Sequence, residues 1–321
     1  MNLRQVIFPA HGVAELALLP LDETPPAKGE IRGETLASVI SPGTELGSQY
    51  FAEAGFPHRP GYGAVFRVQA AGAGVRTFAP GDLAFCIGKH VSQQRCPADQ
   101  AVPVPAGLDP VIATCCRLMA IGQANLVLTA VKAPARVLVT GLGPIGHLTA
   151  RIFALAGFTV TAVDPDPHRR AQLAAVLTGQ EILAAWPIPD PGRPGPFALA
   201  LECTGREAVI HQAGLALQKH GELRLIGVPW SFDPQVLAGP LLQKVFWRHL
   251  RLVSGYEWEL PWRGAPGYAD LISAGLAMLA DGRLRLDGLL AAVAPAECAR
   301  IYQDLANRRA QALLSVFDWR R

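Results

Sequence analysis

The chain has 321 residues, half of them hydrophobic and 17% charged, with a formal charge of +3. That is enough apolar material for two domains, each with its own core, and too little charge for a disordered chain. It also argues against a nucleic-acid-binding protein, because the arginines and lysines are dispersed and the basic Trp319-Arg320-Arg321 end reads as a solvated tail. The N-terminus lacks an apolar leader followed by a small-residue cleavage site, and no later run reaches eighteen apolar residues. A cytoplasmic protein without membrane contact is therefore expected. Six cysteines, at 86, 96, 115, 116, 203 and 298, make no CxxC pair and no four-cysteine cluster, so free and mostly buried thiols are expected.

From Gln5 to about Pro105 the chain shows short alternating or β-branched runs at Glu15 to Leu19, Glu30 to Ile40, Ala64 to Ala70 and Leu83 to Ile87. Turn signals such as Ser41-Pro-Gly, Arg59-Pro-Gly and Ala79-Pro-Gly-Asp separate them, which predicts a β-rich domain. Near Asp109 the character changes. Pro110 to Leu128 reads as helices, and a βα series follows, with strands at Arg136 to Thr140, Thr159 to Asp164, Ala198 to Glu202 and Glu222 to Gly227. Helices are expected at 144 to 156, about 168 to 177 and 206 to 218. Strands alternating with helices predict a parallel, doubly wound sheet. Pro187 to Pro196 carries five prolines in ten residues and must be a loop. A helix-like segment at Leu241 to Arg248 precedes a further strand at Leu250 to Gly255. The end of the chain reads as helix (Tyr268 to Ala280), strand (Leu289 to Val293), helix (Pro295 to Ala306) and strand (Ala312 to Phe317).

The most informative stretch is Val137-Leu-Val-Thr-Gly141-Leu-Gly143-Pro-Ile-Gly146, followed eighteen residues later by Asp164 at the end of an apolar strand. Each glycine has its own task in a dinucleotide site. Gly141 makes the tight turn, Gly143 lets backbone approach a pyrophosphate, and Gly146 permits close packing of helix on strand. The helix opening at Pro144 and Ile145 offers unpaired N–H groups to phosphates, and proline at its start forfeits a donor that no carbonyl would have met. Asp164 would accept hydrogen bonds from the adenosine ribose and repel a 2′-phosphate, which favours NAD(H). Arg169 and Arg170 close by keep NADP(H) as the alternative. His147, beside the last glycine, is a further candidate for phosphate contact.

A small β-domain, a Rossmann unit and a tail of about sixty-five residues, too short to fold alone, resemble the medium-chain dehydrogenase/reductase superfamily. Ser41-Pro-Gly-Thr-Glu45, Pro60-Gly-Tyr-Gly63, Val137 through Asp164, Leu201-Glu-Cys-Thr-Gly205, Gly221 to Gly227 and Gly282 to Gly288 carry the resemblance. It implies an α/β architecture with a GroES-like β-rich catalytic domain (1–118), a Rossmann domain with a doubly wound parallel sheet (119–256), and a return segment (257–321) that completes the first. It also implies that Thr204 and Gly205 lie near the nicotinamide ribose and that Gly227 is a cofactor-binding residue. A homodimer is implied as well, since the last Rossmann strand often pairs with its copy, which would protect an open edge.

Zinc-dependent members of that superfamily carry a cysteine before Gly-Ser/Thr-Asp/Glu and a His-Glu pair after Pro-Gly. Here Pro42 precedes Gly43-Thr44-Glu45, and Tyr62-Gly63 stands in place of His-Glu. Neither Pro nor Gly has a side chain that ligates metal, and a catalytic zinc normally takes three protein ligands. No zinc is expected, and the phrases are most similar to the metal-free group that includes bacteriochlorophyllide (hydroxyethyl) dehydrogenases.

Without a Lewis acid, a side chain must handle the proton that accompanies hydride transfer. Tyr62 is the first candidate, at the position of the family's metal-ligating histidine; the alternative is a tyrosine packed under the turn. Thr44 aligns with the hydroxyl that relays the alcohol proton in zinc enzymes. Lys89 and His90 follow the Gly81-Asp82 turn, and a histidine's ordinary pKa near 6.5 suits acid–base work, with a surface-loop histidine as the alternative. Glu45 reads as a structural ion-pair or capping group, and Arg117 as an anion contact or a helix-end cap. The aromatic stretch Trp258, Trp262 and Tyr268 reads as a pocket lining or a subunit contact. The expected function is interconversion of a small-molecule secondary alcohol and its ketone by hydride transfer with NAD(H) in an interdomain cleft. Reduction of a conjugated C=C bond and non-catalytic dinucleotide binding are the alternatives.

Overall fold

The computed structural model describes residues 2–185, 193–258 and 267–321. Trp262 and the first part of the proline-rich loop lie outside the described residues. The chain divides into two compact units, Met1–Arg117 with Ala269–Arg321, and Leu118–Tyr268.

The first unit is built around the long strand Glu30–Val39, which pairs antiparallel with Ala64–Ala71, Gln93–Pro97 and Leu314–Asp318. Leu83–Cys86 and Val102–Pro103 extend the sheet on one side, and Leu290–Val293 lies parallel to Leu314–Asp318 on the other. The tail therefore folds back for a physical reason. Val316 and Phe317 are fully buried opposite Val39 and Ser38, burial they could not find in sixty-five isolated residues. A separate hairpin, Asn2–Ala10 with Val13–Pro20, brings Val6 and Phe8 into the same core. There Phe8 meets Tyr302 and Tyr50 edge-on, with ring centroids 4.8 and 5.2 Å apart.

The second unit has a parallel sheet with strand order Glu181–Leu183, Thr159–Val163, Arg136–Thr140, Phe197–Glu202, Leu217–Leu225, Arg251–Ser254. Helices Pro144–Leu155, Pro167–Ala174, Glu207–Leu215 and Ala238–Arg248 make connections between successive strands. Val137, Val139, Val160, Leu199 and Leu201 are fully buried against Ala150 and Phe153 of the first helix, as expected of strands covered by helices. The chain runs outward from Arg136–Thr140 to one edge, then returns to start outward on the other side. The carboxyl ends of Arg136–Thr140 and Phe197–Glu202 thus flank a topological switch point, where open α/β sheets bind ligands.

Three details depart from the sequence reading. Gln93–Pro97 and Glu181–Leu183 are strands without an apolar alternation to announce them. Leu217–Leu225 starts before Gly221, where a helix end is expected, because buried Leu217 already pairs with Phe197. The helical run 110–128 is long and apolar enough to cross a membrane by composition, but 78% of its most apolar stretch is buried in protein, as in a core helix.

Candidate functional site

At the switch point the strand Arg136–Thr140 ends in Gly141, whose φ of +81° is open to glycine at little cost. The Gly141 amide donates to the Val163 carbonyl at 2.8 Å, so the turn is laced to the neighbouring strand. The Leu142 amide donates to Oδ2 of Asp164 at 2.7 Å, and the Asp166 amide donates to Oδ1 at 2.8 Å. Asp164 is buried, with the Arg169 guanidinium 3.5 Å from Oδ2. Arg170 donates to the Asp164 carbonyl at 2.8 Å.

The remaining glycines behave differently from one another. A Cβ on Gly146 would lie 1.7 Å from the Gly141 carbonyl oxygen, so helix and turn touch there. A Cβ on Gly143 would meet nothing nearer than the Arg169 guanidinium at 4.0 Å. Gly143 therefore borders open space at the start of Pro144–Leu155, where the amides of Gly143, Ile145 and Gly146 have no acceptor within the helix. Unpaired donors at a helix N-terminus beside a gap suit a pyrophosphate. The residues fit a dinucleotide.

The end of Phe197–Glu202 completes this rim. Gly205 has φ +65°, and a Cβ there would lie 2.0 Å from the Val228 carbonyl oxygen; one on Gly227 would lie 2.4 Å from the Gly205 nitrogen. The turn is organised by Glu202, which the sequence reading does not single out. Its fully buried carboxylate accepts from the amides of Thr204 (2.7 Å) and Gly205 (3.0 Å), from Thr140 Oγ1 (3.3 Å) and from Thr204 Oγ1. Burial pushes the carboxyl above its ordinary pKa, and those donors pull against it. An acid closing an otherwise apolar strand, followed by Thr-Gly, was the available signal.

His147 is fully enclosed, so its placement offers no contact to a phosphate. Neither ring nitrogen has a partner at hydrogen-bond geometry. Burial, then the neighbouring Arg151 charge, lower its pKa to about 4, with only the Gln172 backbone acting the other way.

In the first unit the Ser41-Pro-Gly-Thr-Glu45 phrase forms a short helix, Pro42–Glu45, that turns its acid inward. Glu45 Oε1 accepts from the Ser41 amide at 2.9 Å, both carboxylate oxygens lie 3.3 Å from His90 Nε2, and Tyr302 donates its hydroxyl to Oε2. His90 Nδ1 is 2.8 Å from Ser38 Oγ, which also accepts from Trp319 Nε1 at 2.9 Å. Glu45 and His90 are fully buried. His90 thus has no exposed atom of its own, and its Nε2 faces an equally buried carboxylate. The Tyr302 phenol is held well above its ordinary pKa by burial and by the Glu45 charge.

Tyr62 stands between two glycines that let its backbone come close to its neighbours. A Cβ on Gly61 would lie 2.5 Å from the His90 nitrogen, and one on Gly63 would lie 2.9 Å from Arg117 Cβ. The half-buried Tyr62 donates its hydroxyl to Ser41 Oγ at 2.6 Å, and the Arg117 guanidinium sits 4.0 Å above its ring centroid. Ser41 Oγ is 3.5 Å from Oγ1 of exposed Thr44. Tyr62, Thr44, Glu45 and His90 therefore belong to one hydrogen-bonded cluster, with Ser41 at its junction. Lys89 is exposed, and its carbonyl accepts from Gln94 Nε2 at 2.9 Å. Among the described residues, no group of three or more His, Cys, Asp or Glu is placed to hold a metal ion.

No protein-family model matches the chain. It is 31% identical over 320 residues to the 2-desacetyl-2-hydroxyethyl bacteriochlorophyllide A dehydrogenase of Rhodobacter capsulatus, over 92% of each chain. The chain belongs to the medium-chain dehydrogenase/reductase superfamily. Solved structures agree on the fold of this superfamily member. Galactitol-1-phosphate dehydrogenase from Escherichia coli superposes with a TM-score of 0.83 at 17% identity, over 98% of this chain and 99% of its own. Acetophenone reductase from Geotrichum candidum in complex with NAD gives 0.80 at 15%, over 99% and 97%. The protein is an NAD(P)(H)-dependent oxidoreductase of the medium-chain type.

Proposed function

We propose that this dehydrogenase interconverts a small-molecule secondary alcohol and its ketone with NAD(H), and that Tyr62 handles the proton without zinc. The observation that carries this reading is the Tyr62 hydroxyl, fixed at 2.6 Å by Ser41 under the Arg117 cation and linked toward an exposed threonine. Pro42 and Gly63 lack ligating side chains, so the phenol occupies a setting where a metal would have few donors. The Rhodobacter relative is named for a hydroxyethyl-bearing bacteriochlorophyllide; we carry over the alcohol chemistry and leave the tetrapyrrole to that protein.

A bound nicotinamide would accept or supply the hydride. In the direction of ketone reduction, the substrate oxygen gains the electron pair of its C=O π bond and takes the proton of Tyr62. Gly141, Gly143, Pro144, Ile145 and Gly146 would hold the pyrophosphate, and Thr204, Gly205 and Gly227 would border the ribose and nicotinamide. Asp164 would favour NAD(H), with Arg169 the group that would meet a 2′-phosphate. Lys89 remains a candidate to orient substrate, and His90 to support the cluster through Glu45.

Among the described residues the edge strand Arg251–Ser254 has one neighbour in the sheet, and Phe246 and Trp247 on the preceding helix are 70% and 72% exposed. A homodimer covering this apolar face is part of the same reading; light scattering giving a monomer at micromolar concentration would remove it.

Alcohol-dependent NADH formation across a panel of secondary alcohols tests the function. Activity that Tyr62→Phe abolishes while NADH affinity is kept supports the reading. Oxidation of NADH by conjugated enones, with no alcohol activity, would replace it with C=C reduction.

A further inference from the structure

Ser41 occupies the N-cap of Pro42–Glu45, with extended backbone (φ −110°, ψ 91°) and proline at the first helical position. A serine there ordinarily spends its hydroxyl on an amide of the first turn. This one makes no such bond. The cap is closed from the other side, by Glu45 accepting from the Ser41 amide at 2.9 Å, an interaction that needs no serine side chain. The hydroxyl is committed elsewhere: it accepts from the Tyr62 phenol at 2.6 Å and faces Thr44 Oγ1 at 3.5 Å. Tyr62 is half-buried, Ser41 buried and Thr44 exposed, so the three hydroxyls form a file whose far end lies at the surface. The outer link is long, as hydrogen bonds of catalytic groups often are before a ligand tightens them.

We propose that Ser41 is a positioning and relay residue, whose hydroxyl aims the Tyr62 phenol and replaces its proton from water by way of Thr44. The proposal rests on the reading of Tyr62 as proton donor. In ketone reduction the substrate oxygen takes the Tyr62 proton, and with the hydroxyls turned the phenolate oxygen takes the Ser41 proton. In the same concerted shift Ser41 takes the proton of Thr44, and Thr44 one from water, so that no alkoxide is left. One proton enters from solvent for each proton delivered, and alcohol oxidation runs the file in reverse. The relay transfers no electrons.

The test compares Ser41→Ala, Ser41→Thr, Thr44→Val, Tyr62→Phe and the double variant Ser41→Ala/Tyr62→Phe in steady-state turnover, with pH profiles and solvent isotope effects. Ser41→Ala keeps the amide that Glu45 caps, so the expected result is near-normal melting temperature and NADH affinity. Its kcat falls roughly 10- to 100-fold, at or below the low end of general acid–base effects, with KM little changed and the pH profile of kcat displaced. Ser41→Thr, which restores a hydroxyl, recovers most of the rate. The double variant is no slower than Tyr62→Phe alone, because the relay has nothing left to serve. Thr44→Val, at an exposed position, shows a smaller fall of the same kind and keeps the idea testable should Ser41→Ala fold poorly. Wild-type kcat and pH profile in both Ser41→Ala and Thr44→Val, with Tyr62→Phe impaired, would overturn the relay and leave Tyr62 in place. A Tyr62→Phe variant at wild-type rate would remove the reading beneath it.

Discussion

The amide of Leu142, inside the glycine turn, is bonded to the carboxylate of Asp164, 22 residues further on, at 2.7 Å. The acid expected to face a ribose therefore also fastens the loop proposed to face the phosphates. Replacing Asp164 with Ala should lose two backbone hydrogen bonds to a charged acceptor, each worth about 1.5–3 kcal/mol, and release Arg169 from its 3.5 Å pairing. The expected outcome is a lower melting temperature together with a shift of preference toward NADPH. Titrating both cofactors checks it. A stable variant with unchanged preference would show that Asp164 does neither.

Gly143 and Gly146 should separate binding from folding. A side chain at 143 enters open space with ordinary backbone angles (φ −65°, ψ −175°), so Gly143→Val should fold at the wild-type melting temperature and fail to bind NADH. At 146 a methyl group collides with the Gly141 carbonyl, so Gly146→Ala should be destabilised by about 1–3 kcal/mol or more. Unchanged NADH affinity in Gly143→Val would take the pyrophosphate away from this loop.

His147 supplies a pH dependence whose sign follows from its burial. Its pKa in the fold, about 4, lies below the ordinary 6.5, so the unfolded chain binds the proton first as pH falls. The contribution to stability is complete above pH 6.5, declines as pH drops through the interval down to about 4, and reaches a loss of about 3 kcal/mol below it. His147→Leu should flatten this window, so that its stability relative to wild type rises between pH 8 and pH 5. Urea denaturation at pH 8 and pH 5 reads the difference directly.

The thiols should differ sharply in reactivity. Burial raises Cys115 to about 12 and Cys298 to about 11, and Cys116 and Cys203 well above the ordinary value. Cys96 is partly exposed and moves the other way, lowered chiefly by the neighbouring Cys86 thiol against burial and the Glu30 and Asp99 charges. Native protein treated with a thiolate-selective reagent at neutral pH should label Cys96 first, and Cys96→Ser should remove the fast phase. Early labelling at Cys203 would contradict the packing described for that strand end.

The glycine turn was legible in the sequence because its constraints are local. Three glycines, a proline and an acid sit within one strand-turn-helix-strand unit, and each is dictated by the backbone around it. The second cluster was only half legible. Tyr62 and Thr44 stand out by their places in short motifs, whereas Ser38 joins through His90, 52 residues away, and Tyr302 and Trp319 join only once the C-terminal segment has folded back. Tyr302 is 257 residues from its partner Glu45, and no periodicity announces such a pairing. Ser41 was hidden differently. A serine before proline at a helix start looks like a cap, and only geometry shows that its hydroxyl is used otherwise.

The most direct test of the account is the metal content and turnover of one preparation, before and after exhaustive chelation. Wild-type rates of alcohol-dependent NADH formation in protein stripped to sub-stoichiometric metal are the predicted result. Stoichiometric zinc in active protein, with activity lost on stripping and restored by zinc alone, would contradict a reaction in which Tyr62 carries the proton without a metal.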